Sequence, residues 1–290
     1  MDIIRRFDGS LVVGKYGKTE RHISGYESAK GANNGNYVLR ESVVNYVLHV
    51  VNGNSKTGET VGNLNMPIEY TCKHTCECYK EKSCYAEGGC YLYSDNQASY
   101  SENFNFFCAV DSETFCQAVK MAIDKMGFKL FRYFTCGDIV NYRFFECMVT
   151  IARENPSVRF WSYTKKYEIV NRWLDENGTL PENLTIIFSH WLNRDGTYFP
   201  MDNRHNLPTS EFIPIGKEEL LETVTHVCPC SDPSVVACCE DCDHPCYELK
   251  NGQSMALCEH STSATKERDN KLRKAHEELK KAKKATKKAS

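Results

Sequence analysis

The sequence lacks the long apolar segments of membrane-spanning and secreted proteins. It contains no run of about 18 apolar residues, the length at which a transmembrane helix is considered. Charges interrupt residues 1–9, which have no apolar core of signal-peptide length. The net charge is only −2 over 290 residues, so no strong overall field attracts nucleic acid or a membrane. We therefore expect a soluble cytoplasmic protein with no membrane partner.

Common phosphate-binding and metal-binding motifs are missing as well. The loop over residues 52–58 does not contain Gly-x4-Gly-Lys-Ser/Thr, which excludes a phosphate-binding loop there. The cysteines between residues 72 and 90 do not form the paired Cys-x2-Cys of a zinc ribbon. They also depart from the Cys-x3-Cys-x2-Cys loop of radical S-adenosylmethionine enzymes, because Cys72-x3-Cys76 is followed by Cys-x-Cys.

Cysteine itself is abundant, since the chain has 16. In a reducing cytoplasm, clustered cysteines favour metal sites or catalytic thiols over disulfides. Thiolates are soft ligands that suit zinc and iron–sulfur clusters. Most of the cysteines fall into two groups, which we call the first cysteine cluster (residues 72–90) and the second cysteine cluster (residues 228–260).

The second cysteine cluster has the more informative spacing. Cys239-x2-Cys242-x3-Cys246 resembles half of a ferredoxin run, and Cys228 adds a fourth thiolate. Four thiolates complete a ligand set for a [4Fe–4S] cluster or for structural zinc. Two alternatives stay open: both clusters bind only structural zinc, or both segments share one metal. The predicted metal ligands are Cys72, Cys76, Cys78, Cys84, Cys228, Cys239, Cys242 and Cys246.

Short apolar segments alternate with amphipathic ones between the two clusters. This alternation predicts βαβ units and an α/β fold, with an incomplete (βα) barrel-like parallel sheet as the first choice and an open doubly wound sheet as the alternative. The dense apolar strands suit a sheet that is buried on both faces. The predicted strands are Phe104–Val110, Lys129–Phe134, Val158–Tyr163 and Leu184–Ser189, and the predicted helices are Asp111–Met126, Ile139–Ala152 and Tyr167–Leu174.

Composition divides the chain into three parts. Residues 1–60 form a polar extension with a lead-in strand, residues 61–262 form the α/β metal-binding domain, and residues 263–290 form a basic tail of helical composition. The tail predicts contact with nucleic acid phosphates, although a solvated helix that aids solubility is the alternative. The lysines expected to bind nucleic acid are Lys280, Lys281, Lys283 and Lys284.

Polar residues follow the predicted strands. In α/β sheets, ligands gather at the carboxyl ends of the strands. Asp138 and Lys165 come at such ends, so we predict that they are catalytic: Asp138 as a base or substrate ligand, and Lys165 as an anchor for an anion. The alternatives are a helix N-cap for Asp138 and a solvated charge for Lys165.

These motifs together resemble the gene product 88 domain family of phages and mobile elements. The resemblance covers residues 45–262 and is carried by an Asn-x-Lys-x-Gly loop (residues 54–58), Cys84-Tyr85-Ala86, Arg132 with Gly137-Asp138, and the second cysteine cluster. It implies a radical-S-adenosylmethionine-like or related barrel with cysteine ligands, in a host cell. Cys76, Cys90, Cys230 and Cys238 are additional to the family pattern. A rolling-circle initiator is discounted because no His-x-His motif is present.

The sequence therefore predicts an iron–sulfur or zinc metalloprotein. We expect an enzyme that acts on nucleic acid or a nucleotide-derived substrate, with a [4Fe–4S] cluster as first choice of cofactor, zinc as the alternative, and S-adenosylmethionine as a further candidate. The competing hypothesis is a zinc-stabilised nucleic-acid-binding protein without catalysis.

Overall fold

A computed structural model describes most of the chain. The described residues are 2–5, 11–14, 46–54, 57–72, 76–80, 84–87, 89–193, 195–213, 218–229 and 238–258. The basic tail, with its four predicted nucleic-acid-binding lysines, lies outside these ranges.

The described residues form two sheets and six α-helices. The strands are β1 Asp2–Arg5, β2 Leu11–Gly14, β3 Tyr46–His49, β4 Val51–Asn52, β5 Val61–Leu64, β6 Leu130–Tyr133, β7 Arg159–Thr164, β8 Leu184–His190, β9 Thr209–Ile213, β10 His226–Val227 and β11 Ser254–Cys258. The helices are α1 Ile68–Thr71, α2 Glu77–Lys80, α3 Ser94–Ala109, α4 Ser112–Met126, α5 Tyr142–Glu154 and α6 Tyr167–Asn177.

The main sheet has eight strands among the described residues, in the order β10-β11-β9-β8-β7-β6-β5-β4. All neighbouring strands are parallel except β4 and β5. The two outermost strands, β10 and β4, do not pair with each other, so the sheet is not closed. A smaller antiparallel sheet has the order β2-β1-β3.

The long helices pack against one face of the main sheet. Strands β5 to β9 are neighbours in chain order, and right-handed crossovers that step in one direction place their connections on the same face. The shared core confirms this arrangement, since it combines aromatic and aliphatic residues of α3 to α6 with alternate residues of β5 to β8. Its members include Leu64, Phe106, Phe115, Phe131, Phe144, Phe160, Val170 and Ile186.

Local signals set the ends of the helices in this layer. The Asp111 carboxylate accepts a hydrogen bond from the Thr114 backbone N–H at 2.7 Å and caps α4. Asn141 caps α5 in the same way by accepting from the Phe144 N–H at 3.0 Å. The predicted start of α5 at Ile139 is therefore three residues early. Gly127 ends α4 in a left-handed conformation, as is usual at this position.

One predicted element is wrong. The segment Phe104–Val110, predicted as a strand, instead ends helix α3. The prediction relied on the apolar residues of this segment. Helix α3, however, also buries the polar side chains of Ser101, Glu102 and Asn103. The Asn103 amide bonds the backbone of His49 and Asn65, so burial on this helix does not follow hydrophobicity.

None of the helices in the described part of the chain is long and apolar enough to cross a lipid bilayer.

Candidate metal centres

Both cysteine clusters are associated with the sheet face opposite the helices. The β-pairing sets Arg132, Trp161 and Thr185 side by side, so their side chains share this face. The second cluster covers Trp161 and Ile187. The first cluster lies at the carboxyl ends of the central strands, beside Trp191 after β8. The face that carries no long helix is therefore the one that carries the cysteines.

The first cluster brings four of its cysteines together. Cys76 and Cys78 are buried, and Cys72 and Cys84 are partly buried in the same contact group. The Cys76 and Cys78 sulfur atoms are 2.8 Å apart. The Cys78 thiol also hydrogen-bonds to Cys84. The charges of Cys76 and Cys84 contribute to the raised pKa of Cys72. The four predicted ligands of this cluster thus share one small volume.

The partly buried cation Lys165 modifies the chemistry of these thiols. Hydrogen bonding from Cys78 is the main cause that lowers the pKa of Cys76 to about 6, and the Lys165 charge lowers it further. Burial raises the pKa of Cys72 to about 12, and the nearby Asp138 adds to this. Burial alone would lower the pKa of Lys165, but the charges of Cys78 and Cys76 outweigh it, so the pKa is raised. The hydrogen bond from Cys78 and the Lys165 charge both favour the thiolate form of Cys76.

Lys165 is held by neighbours on the next strand. Its Nζ donates to the Ser189 hydroxyl at 3.1 Å and lies 4.9 Å from the ring centre of Trp191. Trp191 stacks on Phe212 with ring centroids 3.9 Å apart. Trp191 also packs with Cys76 and Cys78, so it joins the ammonium group to the first cluster.

Asp138 has all of its close hydrogen bonds within the fold. Its Oδ1 accepts from the Thr164 hydroxyl at 2.6 Å and from the Ile139 N–H at 2.7 Å, and its Oδ2 accepts from the Lys165 N–H at 3.0 Å. Burial raises the pKa of this carboxyl despite these donors. These contacts tie the Asp138 carboxylate to the backbone of Lys165.

The loop before Asp138 is fixed by two backbone requirements. The Asn65 Oδ1 accepts hydrogen bonds from the N–H groups of Thr135 and Cys136, at 2.8 and 3.1 Å. Gly137 has a φ of +86°, and a Cβ there would lie 2.3 Å from the Met66 carbonyl oxygen. Cys136, placed by this loop, is buried beside the first cluster and packs with Cys72 and Cys84. A fifth cysteine thus borders the site.

The second cluster also converges on a small space. Cys228, Cys239, Cys242 and Cys246 line a cavity of about 20 Å³, together with Cys238 and Trp161. That volume is close to the space of one water-sized particle. The Tyr163 hydroxyl donates to the Cys246 sulfur at 2.8 Å. Burial raises the pKa of Cys246 to about 12 and that of Cys239 to about 11.

Specific contacts attach this cluster to the sheet. The Thr185 hydroxyl donates to the Tyr247 carbonyl at 2.8 Å, and the Tyr247 ring lies 5.2 Å from that of Trp161. At the other end, the Thr60 hydroxyl donates to the Glu240 carboxylate. A Cβ at Gly58 would lie 2.5 Å from the Glu240 Cβ, so the close approach requires glycine. Glu240 of the second cluster therefore packs against Gly58, the last residue of the Asn-x-Lys-x-Gly loop, and bonds Thr60 just after it.

The donor chemistry of both clusters fits a thiophilic metal. Four sulfur atoms, the usual ligand set of zinc and iron–sulfur sites, come together in each. Within the part of the chain that the structure describes, however, no three His, Cys, Asp or Glu side chains stand in a metal-coordinating arrangement. Metal binding therefore requires the thiols to exchange their present hydrogen bonds for coordination, with loss of their protons.

The structure brings together all eight predicted metal ligands in two separate groups of four. It also places Lys165 against the first group and Asp138 behind Lys165. The sequence analysis assigned no role to Ser189, Trp191 or Met255, although the Met255 sulfur lies 3.3 Å from that of Cys246. Alternation along β8 offered a signal for Ser189, since it falls on the same face as Ile187. Nothing in the sequence around Met255 indicated its role.

These features define a mixed α/β protein with an open, mostly parallel sheet and two cysteine-rich segments. The family model described as gene product 88 matches residues 45–207, more than half of the chain. The chain therefore belongs to the gene product 88 family, as the motifs predicted. The match includes the first cysteine cluster and ends before the second. Neither a curated protein nor a solved structure shows a significant match.

Proposed function

We propose that the protein is an iron–sulfur enzyme whose reactive site is the first cysteine cluster. The observation that carries this proposal is the convergence of Cys72, Cys76, Cys78 and Cys84 beside the partly buried Lys165 ammonium group. The group stands at the carboxyl ends of parallel strands, where α/β proteins bind substrates.

The second cluster is proposed to hold one structural zinc ion through Cys228, Cys239, Cys242 and Cys246. Its cavity of about 20 Å³ suits a single ion better than a four-iron cluster. A metal site that is closed by four thiolate ligands is typical of structural zinc. The contacts of Tyr247 with Trp161 and Thr185 fit a stabilising role, since they join this segment to the sheet.

The substrate is proposed to be nucleic acid or a nucleotide-derived molecule, and S-adenosylmethionine is the candidate co-substrate. A bound iron–sulfur cluster would supply electron transfer or Lewis-acid chemistry. Lys165 would bind and orient an anionic group of the substrate, and Asp138 would keep Lys165 in place. We further propose that the sheet is barrel-like. Its unbroken strand order with helices on one face supports that description.

Selective loss of each metal tests these assignments. In protein purified without oxygen, Cys84→Ser is expected to lose iron and acid-labile sulfide while keeping zinc. Cys239→Ser is expected to lose zinc while keeping iron. Cys108→Ser, at an exposed cysteine outside both clusters, is the matched control and should keep both.

The competing function is a zinc-stabilised nucleic-acid-binding protein without catalysis. It predicts zinc in both clusters, no sulfide, and no cleavage of added S-adenosylmethionine by the reduced protein. Iron and sulfide that survive in Cys239→Ser and disappear in Cys84→Ser would exclude it.

A further inference from the structure

Arg132 is a partly buried cation that the proposed reaction does not use. It lies on β6 between the two cysteine clusters, with its Cζ 5.1 Å from the ring centre of Tyr163. Its Nε is buried and has no hydrogen-bond partner among the described residues. An unsatisfied buried guanidinium nitrogen is costly, and such groups are normally paired with an anion.

Aromatic side chains from the first cluster stand close to this guanidinium group. Burial raises the pKa of both Tyr85 and Tyr91 overall, although the charge of Arg132 lowers it. Their rings meet edge to face at a centroid distance of 5.5 Å. Tyr85 is nevertheless 60% exposed, which is unusual for an aromatic residue in such a packed position. A guanidinium group with an unpaired buried nitrogen and an exposed aromatic ring therefore occur in the same electrostatic environment.

We propose that Arg132 binds the phosphate of a nucleotide whose base stacks on Tyr85. The planar guanidinium fork matches a phosphate group, and exposed aromatic rings are the usual platforms for nucleobases. This inference rests on the proposed function and names how its nucleotide-derived substrate is recognised. The site lies next to the first cluster, so a nucleotide bound there reaches the proposed reactive centre.

A different role for Arg132 makes a different prediction. Its charge also acts on Cys239 and Cys246 of the second cluster. If Arg132 only balanced the negative charge of metal-bound thiolates, its removal would lower zinc content and leave nucleotide affinity unchanged.

The first experiment is calorimetry on the full-length, metal-loaded protein with adenosine 5′-monophosphate, adenosine and inorganic phosphate. The monophosphate is expected to bind more tightly than either of its parts. Arg132→Gln should weaken its binding by about tenfold or more, as loss of a charged hydrogen bond does, and Arg132→Lys should weaken it less. Arg153→Gln is the matched control, because that guanidinium lies 5.7 Å from the Trp173 ring on the helical side.

Tyr85→Ala provides a second test that does not disturb the interior. It should weaken binding of the monophosphate by about fivefold or more, the loss of one stacked base, and leave inorganic phosphate binding unchanged. If Arg132→Gln does not fold, this variant decides alone. Wild-type affinity for the monophosphate in either variant would overturn the inference, and so would zinc loss with unchanged affinity in Arg132→Gln.

Metal content separates the two proposals. Protein that lacks iron and sulfide but binds the monophosphate through Arg132 would contradict the proposed enzyme and retain the nucleotide site. Protein that contains iron and sulfide but does not bind the monophosphate would support the proposed enzyme and contradict the nucleotide site.

Discussion

At the scale of single residues, Gly137 constrains the backbone of the loop that leads from β6 to Asp138. Its φ of +86° is left-handed, and the Met66 carbonyl leaves no room for a Cβ. The next residue, Asp138, fixes the Lys165 backbone. A backbone requirement at one glycine therefore determines the position of the ammonium group beside the first cluster.

Gly137→Ala is expected to lower the free energy of unfolding by at least about 3 kcal/mol, because backbone strain and a clash act together. Urea denaturation measures the change. Gly127→Ala is the control: its φ is +69°, but its Cβ would meet nothing within 4 Å, so it should cost only about 1 kcal/mol. Equal costs for the two variants would show that the Met66 contact does not matter.

Asn65 joins the ends of β5 and β6 by accepting from two backbone N–H groups and the Thr135 hydroxyl. Asn65→Ala leaves these buried donors unpaired, so we expect a loss of about 2–4 kcal/mol in urea denaturation. Asn177→Ala removes an exposed amide that bonds one helical carbonyl and should cost less than about 0.5 kcal/mol. A loss at Asn65 as small as at Asn177 would contradict the role given to this network.

At the scale of elements, the sequence predicted the central strands and helices well. Strands β6 to β8 and helices α4 to α6 all occur within a few residues of their predicted bounds, because alternation, caps and turn residues are local signals. The wrong strand at Phe104–Val110 has a non-local cause. Helix α3 buries Asn103 and Glu102 to bond residues far away in the chain, which hides its helical period.

The second cluster is an element whose order should depend on metal. Removing zinc with a chelator is expected to increase hydrogen exchange in residues 238–258 while β6 to β8 stay protected. Those residues contain short helical turns and one strand, so few backbone bonds hold them without metal. Cys239→Ser should already exchange fast and show no further change on chelation. Unchanged protection of the wild-type protein after zinc removal would contradict a structural role.

At the scale of the whole molecule, the sequence predicted eight ligand cysteines but did not show how they group. One alternative left open by the sequence was a single metal site shared by both clusters. That alternative depends on contacts between segments about 150 residues apart in the chain, and no local sequence pattern indicates such contacts. In the folded chain, the first set packs beside Trp191, whereas cysteines of the second set pack against Trp161 and Ile187. The barrel-like sheet was predicted from alternation alone; the observed sheet is mostly parallel and not closed.

Nucleic-acid binding by the basic tail is a prediction from composition. Deleting residues 264–290 is expected to weaken DNA binding and to flatten its dependence on salt, because fewer phosphates are neutralised. Fluorescence anisotropy at several salt concentrations measures both. Neutral substitutions at Lys280, Lys281, Lys283 and Lys284 should reproduce most of the effect. Unchanged affinity and salt slope in the deletion would assign the tail to solubility alone.

The central claim is that the first cluster holds iron and sulfide while the second holds zinc. Its most direct test is the iron, zinc and acid-labile sulfide content of wild-type protein purified without oxygen, together with its absorption spectrum. We predict brown protein with iron and sulfide in equal amounts, about one zinc per chain, and a broad band near roughly 400 nm. Colourless protein with about two zinc ions and no sulfide would contradict the account and favour a zinc-stabilised binding protein.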